Sequence, residues 1–347
     1  MQLKVIQTVE ELDSLADEWN NLLSQSASHV PFLRHEYLSA WWRTLGGGEW
    51  PHGELYVVTA RYPAGELCAI APLFVTENLQ GETALMLMGS IEISDYLDVI
   101  ARPGDLPGFI DCLLVHLSSQ QTPAWQVIDW YNLLEDSPTL PALQAAASRQ
   151  GWGMTQERLQ HCPYIPLPGD WEAYLAGIDK KQRHEIRRKM RRVESTDVPV
   201  HWAIVSENDD LDAEIDAFLG LMGQDPDKQA FLTDVMRSQM HLAVRAAQRA
   251  GWLQLSFLEV GGEKAAGYLN FDYANHIWVY NSGINFEYSA YSPGWVLLAY
   301  LLQWANENHR ERFDFMRGDE DYKYRFGGID RFVVRARVTR KRDLSRT

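Results

Sequence analysis

Apolar positions along this chain recur with two periods, and the switches between them outline its elements. Leu12, Leu15, Trp19, Leu22 and Leu23 fall at helical spacing and predict a helix over residues 10–25. Thr8 and Glu11 stand where a capping box would start it. After Pro31-Phe32, the residues Tyr37, Leu38, Trp41 and Trp42 mark a second helix over 35–44. Extended runs at 55–62 and 67–76 flank Pro63-Ala64-Gly65, a hairpin signal. Two more strands are predicted at 84–88 and 96–101. A helix at 106–118, a strand at 125–131, a helix at 138–149 and a strand at 152–158 follow. Pro163, Pro166 and Pro168 then form a breaker-rich joint.

The second half opens with helical signals over 171–192, then helices at 211–222 and 231–250. Strands at 253–260 and 265–273 flank Gly261-Gly262, and 277–283 continues the meander. Residues 293–308 carry Trp295, Val296, Leu297, Leu298, Tyr300, Leu301, Leu302 and Trp304, apolar almost all round, which predicts a buried helix. A strand over 312–316 alternates Phe313 and Phe315 with polar neighbours and breaks at Arg317-Gly318. Seven crowded residues follow, from Asp319 through Glu320, Asp321, Tyr322, Lys323 and Tyr324 to Arg325, before Gly327-Gly328 and a last strand at 332–338.

The two halves repeat one order: helices, hairpin, further strands, a helix, then an aromatic strand with an acidic exit. Asp129 in WQVIDWYNLLEDSP and Asp314 in RFDFMRGDEDYK hold equivalent places. This predicts an α/β protein of two tandem modules, 1–165 and 166–347. Each is a mixed, mostly antiparallel sheet flanked by helices, and a cleft between two such copies is a natural ligand site.

Composition narrows the class. The formal charge is −15 over 347 residues, which argues against a general nucleic-acid binder. The segment 180–192, KKQRHEIRRKMRR, dissents with eight Lys/Arg against one Glu. No stretch approaches the roughly 20 apolar residues of a membrane span. The start, MQLKVIQTVEEL, does not read as a signal peptide. Cys68, Cys112 and Cys162 are far apart, as reduced thiols of a cytoplasmic protein would be.

Candidate chemistry is sparse but localised. Ser292 suits an N-cap and Pro293 the first helical position, which leaves the N–H groups of Gly294 and Trp295 pointing out of a helix end that attracts phosphate. An ordinary capped helix has the same sequence. Residues 319–325 suit either a site at the end of a strand or a solvated helix with charges matched to its dipole. Arg183, Arg187 and Arg191 form one helical stripe, fit for gripping phosphates, an anionic acceptor or tRNA, or for facing water. Ser94-Asp95-Tyr96 either lines a pocket or makes an Asx-type turn. Other chemistries lack their motifs: there is no G-x-S-x-G, no HExxH, no Cys/His cluster at metal spacing and no Rossmann fingerprint. Gly46-Gly47-Gly48 reads as a plain loop, since no GK[ST] follows, and the adjacent His161-Cys162 reads as structural.

Tyr291-Ser292-Pro293-Gly294, the apolar helix after it, Phe313-Asp314-Phe315, Arg317-Gly318-Asp319 and Tyr322-Lys323-Tyr324-Arg325-Phe326-Gly327 together resemble the GNAT-type acetyltransferases of the cellulose-biosynthesis (CelD-like) family. Trp19, Pro31-Phe32, Trp41-Trp42, Ala71-Pro72-Leu73, Ser94-Asp95-Tyr96 and the 183–192 segment are similar to that family's first half. The family is in turn similar to the Fem peptidyltransferases, which join two GNAT-like modules. The resemblance implies a transferase moving an acyl group from acyl-CoA to an amine or hydroxyl of a small or carbohydrate-linked acceptor, without a metal. It implies a thioester between the strands at 277–283 and 312–316, and a pyrophosphate on Ser292, Gly294, Trp295 and Val296. GNAT enzymes carry Q/R-x-x-G-x-G/A there; this chain carries Ser292-Pro293-Gly294 instead. Tyr322 stands where such enzymes place a tyrosine acid, with Asp319 as the base candidate and Lys323 to hold an anionic group or orient Asp319. Packing and helix capping account for the same residues. Asp95, Tyr96, Arg317, Arg183 and Arg187 are the substrate-binding candidates. Two further readings stand beside this one: a Fem-like transferase using aminoacyl-tRNA, and a non-catalytic module of a polysaccharide-synthesis assembly.

Overall fold

Pro72 divides an apolar run that alternation alone reads as one strand. In the computed structural model, which describes residues 1–119 and 123–340, the run becomes two strands in two different sheets. In chain order the first half holds β1 (Gln2–Ile6), α1 (Val9–Asp13), α2 (Ala16–Leu23), α3 (His35–Gly48), β2 (Glu54–Leu55), β3 (Val57–Arg61), β4 (Leu67–Ala71), β5 (Leu73–Glu77), β6 (Thr83–Leu87), β7 (Ile100–Ala101), α4 (Leu106–Ser118), β8 (Val127–Leu134), α5 (Thr139–Arg149) and β9 (Gly153–His161). One sheet runs β1-β3-β4-β7.

The helix expected over 10–25 is two helices, joined at Ser14-Leu15, where the Ser14 hydroxyl donates to the Glu11 carbonyl at 2.7 Å. Thr8 does cap the first, accepting the Glu11 N–H at 3.3 Å. The expected loop at 46–48 is a left-handed turn, with positive φ at Leu45, Gly46, Gly47 and Gly48. The core of this half is aromatic: Trp19, Trp41, Trp130, Phe74 and Phe109 are fully buried.

The second half holds β10 (Tyr164–Pro166), α6 (Trp171–Gly177), α7 (Lys180–Glu194), β11 (Val200–Ile204), α8 (Leu211–Met222), α9 (Pro226–Phe231), α10 (Asp234–Arg249), β12 (Leu253–Val260), β13 (Glu263–Tyr273), β14 (His276–Ile284), α11 (Pro293–Glu307), β15 (Arg312–Asp314), α12 (Asp321–Arg325) and finally β16 (Phe332–Thr339). One six-stranded sheet runs β10-β15-β14-β13-β12-β11. The helix expected over 231–250 starts at residue 234, where Thr233 accepts the Met236 N–H at 3.2 Å. As its composition predicts, α11 is buried. Val296, Leu297, Leu301 and Leu302 join Tyr268, Ile277, Phe313 and Phe315 in one core.

The last strand does not stay with the second half. β16 pairs antiparallel with β8, completing the sheet β2-β5-β6-β8-β16-β9. The compact units are therefore 1–160 with β16, and 161–331, in place of the expected 1–165 and 166–347. Local pattern identifies β16 as a strand but carries no signal for its partner.

The repeat expected from the order of elements is visible in the pairing. In the first unit β6 runs parallel to β8 across the helix α4, and β8 is followed in the sheet by an antiparallel strand, β16. In the second, β14 runs parallel to β15 across α11, and β15 is followed by the antiparallel β10. Asp129 and Asp314 also match. Both are fully buried and ion-paired, Asp129 with Arg335 and Asp314 with Arg331. The protein is thus a mixed α/β fold of mostly antiparallel sheets flanked by helices.

Gly283 on β14 shows how closely α8 is seated. A Cβ there would lie 2.5 Å from the Met222 nitrogen and 2.6 Å from the Leu221 carbonyl carbon. Both are backbone atoms with no rotamer to yield. Gly283→Ala is expected to destabilise the protein by about 1–3 kcal/mol, the cost of overpacking a filled interior. A lowered urea midpoint with an unchanged slope would register it. Among the described residues no helix is long and apolar enough to cross a membrane.

Candidate active site

β14 and β15 are paired for only three residues each, His276–Trp278 against Arg312–Asp314. Beyond Trp278, β14 continues to Ile284 while the chain leaving β15 turns away. Its Phe315 N–H goes to the Pro163 carbonyl at 3.0 Å, and Met316 takes φ 61°. Tyr280 is the extra residue of a bulge on β14: Leu269 pairs with Asn281 and Asn270 with Val279. Bulges re-aim strands and end pairing beside functional sites. Two parallel strands therefore part at this level of the second unit.

α11 starts close to the end of β14. Ser292 is its N-cap residue, but its backbone is left-handed (φ 52°, ψ 51°) and its side chain makes no capping hydrogen bond. The Ser292 carbonyl accepts the Val296 N–H at 3.0 Å, so the Val296 amide is used within the helix. Pro293 has no N–H, which leaves Gly294 and Trp295 as the donors of an uncapped helix end. Gly294 itself is buried. A Cβ on it would meet Ile284 Cδ1 at 2.6 Å, so its bare Cα serves helix–strand packing rather than ligand approach. Trp295 lies 4.6 Å from Phe326, between ring centroids, and the Lys189 ammonium sits 4.2 Å over its ring. The Trp295 indole N–H is buried without a hydrogen-bond partner among the described residues.

The turn after β15 is built on a lysine. Lys323, 3% exposed, donates to the carbonyls of Arg317 (2.8 Å) and Gly318 (3.1 Å) and pairs with Glu320 (2.8 Å). All three of its N–H groups are then used. Gly318 has φ 112°, and a Cβ there would run into the Glu320 carboxylate and lie 2.9 Å from Lys323 Nζ. The carboxylate Lys323 holds is Glu320, not Asp319. Both carboxylates are exposed, and Asp319 acts electrostatically on Tyr324 instead.

Glu320 is also the charge to which several elements respond. Burial raises the Tyr322 phenol well above its ordinary pKa, and Glu320 adds to the shift. The Tyr268 phenol on β13 is also raised, by burial first, then by Tyr322 and Glu320. Lys228 on α9 is lowered by burial and partly restored by Asp225 and Glu320. The Tyr322 ring packs edge-on against Phe315, 6.0 Å between centroids. The structure thus groups Tyr322, Lys323, Glu320, Tyr268 and Lys228. Glu320 lies inside the stretch the sequence singles out, but nothing there ranks it above Asp319. Tyr268 and Lys228 come from distant segments without a motif, and Lys189 sits in the basic run without distinction.

Other sequence candidates sit elsewhere. Arg183 donates to the carbonyls of Leu175 (3.2 Å) and Ala176 (3.4 Å), capping α6, and Arg187 pairs with Glu172 on the same helix. That stripe therefore serves α6, while Lys189 on another face of α7 reaches the start of α11. Arg317 contributes its carbonyl to Lys323. Asp95 and Tyr96 belong to the first unit and are 6% and 2% exposed, in a loop that Asn132 pins by donating to the carbonyls of Ile91 (2.7 Å) and Ser94 (2.8 Å). Among the described residues Cys68, Cys112 and Cys162 form no disulfide. Among the described residues no three His, Cys, Asp or Glu side chains converge as metal ligands would.

Comparison with known proteins places this geometry. Residues 180–324 match the family model of the acetyltransferase (GNAT) domain. That span contains α7, the parting strands, the start of α11 and Tyr322. No curated protein shows significant sequence similarity to the chain. Among solved structures, FemX superposes with a TM-score of 0.67 at 11% identity, covering 97% of each chain. A conserved protein of unknown function from Bacteroides thetaiotaomicron VPI-5482 gives 0.59 at 13% identity, covering 98% of this chain and 100% of its own. L-PGS from Bacillus licheniformis gives 0.55 at 13% identity, covering 97% and 93%. At these identities the likeness is one of fold. The second unit accordingly carries a match to the acetyltransferase (GNAT) domain, on a chain whose whole length shares the fold of FemX.

Proposed function

We propose that this protein is an acyltransferase moving an acyl group from acyl-CoA to an amine or hydroxyl acceptor. The observation that carries the reading is the parting of β14 and β15 beside an uncapped start of α11, inside the segment matched by the GNAT model. The residues suit the donor. The N–H groups of Gly294 and Trp295 and the Lys189 ammonium would hold its pyrophosphate, and the unpaired strand edges would take its extended arm. When bound, acyl-CoA supplies the activated carbonyl and the thiolate leaving group.

The chain's own residues then manage protons. We assign the acceptor's proton to Glu320, directly or through water, in preference to Asp319. The acceptor nitrogen or oxygen bonds to the carbonyl carbon, the carbon–sulfur bond breaks, and Tyr322 protonates the leaving sulfur. A proton returning from Glu320 to Tyr322 restores the resting state. Tyr322 can serve as the acid because a tyrosine phenol is protonated at neutral pH, and burial with the Glu320 charge holds it in that form. Lys323 fixes the Glu320 carboxylate and the turn beneath it. The CelD-like resemblance of the C-terminal motifs supports polysaccharide or cell-envelope biosynthesis as the setting of the reaction.

Calorimetry with acetyl-CoA and longer acyl-CoAs tests the donor. Lys189→Ala is expected to weaken binding about ten- to a hundredfold, the loss of one hydrogen bond to a charged group. Gly294→Val is a poor probe, since it would strike Ile284 first. Absence of binding by any acyl-CoA would overturn the reading. The Fem-like alternative draws on a cavity of about 800 Å³ bordered by Lys181, His184, Arg188 and Arg325, with Glu185 and Asp321 among its walls. Binding to tRNA that falls steeply with salt, in place of acyl-CoA binding, would favour it.

A further inference from the structure

Lys228 is a half-buried ammonium that forms no ion pair among the described residues. Its side chain crosses from α9 to β14 past the last residue paired with β15, donating to Asn281 Oδ1 at 2.9 Å and to the Ser282 carbonyl at 2.6 Å. Two of its three N–H groups are thereby used. Among the described residues no carboxylate forms an ion pair with it. Asp225 caps α9, accepting the N–H groups of Asp227 (2.9 Å) and Lys228 (3.2 Å), and Glu320 is held by Lys323. A partly desolvated cation is costly to keep unpaired.

Asn281 completes the arrangement. Its Oδ1 accepts both the Lys228 ammonium and the Ser282 N–H, the latter at 2.9 Å. Those two bonds settle which amide atom is oxygen. Asn281 Nδ2 donates to no described residue. A cationic and a neutral donor, joined through one amide oxygen, therefore both have open valences, and Glu320 lies within electrostatic reach of Lys228.

We propose that Lys228 Nζ and Asn281 Nδ2 bind a carboxylate of the acceptor, so that the acceptor is a carboxylated amine or alcohol such as an amino acid. This rests on the acyl-transfer reading and names its substrate class. Each donor would take one of the two oxygens of a carboxylate. A phosphate dianion is disfavoured, because Asp225 and Glu320 both act on this cation and would repel a second negative charge.

The test uses the full chain and initial rates with acetyl-CoA against glycine, β-alanine, L-alanine and L-lysine, each beside its carboxamide. At least one free acid is expected to exceed its amide tenfold or more in kcat/KM. Lys228→Met should reduce that ratio below twofold, and Lys228→Arg should keep most of it. Asn281→Asp supplies the missing anion from within the chain. It should abolish the preference while leaving the melting temperature unchanged or raised, which separates a lost site from a lost fold. Acetyl-CoA affinity is read by calorimetry on the same samples. Binding retained with acids and amides used equally, turnover confined to acceptors without a carboxylate, or a preference that survives both Lys228→Met and Asn281→Asp would overturn this inference alone. Failure of acetyl-CoA to bind would overturn the acyl-transfer reading and this inference with it.

Discussion

Replacing Tyr322 by phenylalanine is expected to lower kcat by about 10²–10⁴-fold, the usual weight of a general acid, with acyl-CoA affinity retained. The physical case is local. The Tyr322 ring is wedged against Phe315 at 6.0 Å and joins the core under α11, so removing one oxygen leaves the packing intact. What is lost is a protonated phenol, its pKa raised by burial and by the Glu320 charge, placed just beyond parting strands. Paired variants at the neighbouring carboxylates locate the base. Glu320→Gln is expected to slow turnover strongly and Asp319→Asn only slightly, because Glu320 alone is tied to Lys323 and acts on Tyr322 and Tyr268. Steady-state rates beside calorimetric affinities check all three. Wild-type kcat in Tyr322→Phe would remove the acid role, and the reverse order of the two carboxylates would return the base to Asp319.

Removing the carboxylate of Asp314 should cost the fold about 3–5 kcal/mol, as breaking one side of a buried ion pair does. Asp314 is fully buried, pairs with Arg331 and accepts the Met316 N–H at 3.0 Å. Asp314→Ala leaves a mostly buried guanidinium without its anion and an N–H without its acceptor. The same substitution at Asp129 is expected to cost a similar amount. Asp129 accepts Arg335 Nε and Nη2, each at 2.7 Å, and Asn78 Nδ2 at 2.8 Å. Urea denaturation gives both numbers. A loss below about 1 kcal/mol at either position, the range of exposed ion pairs, would show that the guanidinium finds water instead.

These two aspartates show how far the pattern of the chain reaches. Their equivalence is legible because each stands beside an aromatic residue in a strand that follows a helix. Their arginine partners are not, since Arg335 lies 206 residues from Asp129 and no local period connects them. The site divides in the same way. The start of α11 at Ser292-Pro293, the break at Arg317-Gly318 and the crowded 319–325 stretch stand out in the sequence, whereas the missing cap at Ser292, expected there as an N-cap, does not. Choosing Glu320 over Asp319 requires the side-chain directions around Gly318. Lys228, Tyr268 and Lys189 become visible only when α9, β13 and α7 are packed. Arg183 and Arg187 show the converse: a clean helical stripe that serves α6 and not the strands' parting point.

By itself the sequence determined the elements, their repeated order, the buried character of α11 and the stretch holding the candidate site. Periodicity, breakers and turn residues are short-range signals, and those features are short-range. Only the tertiary structure decided that β16 returns to the first unit, that Pro72 separates two sheets, that Lys323 is a buried staple, and that a lysine and an asparagine 53 residues apart share one amide oxygen. Strand partners and charge partners are chosen by packing across the whole chain, where burial makes each unpaired donor or charge costly and leaves few arrangements that satisfy them all.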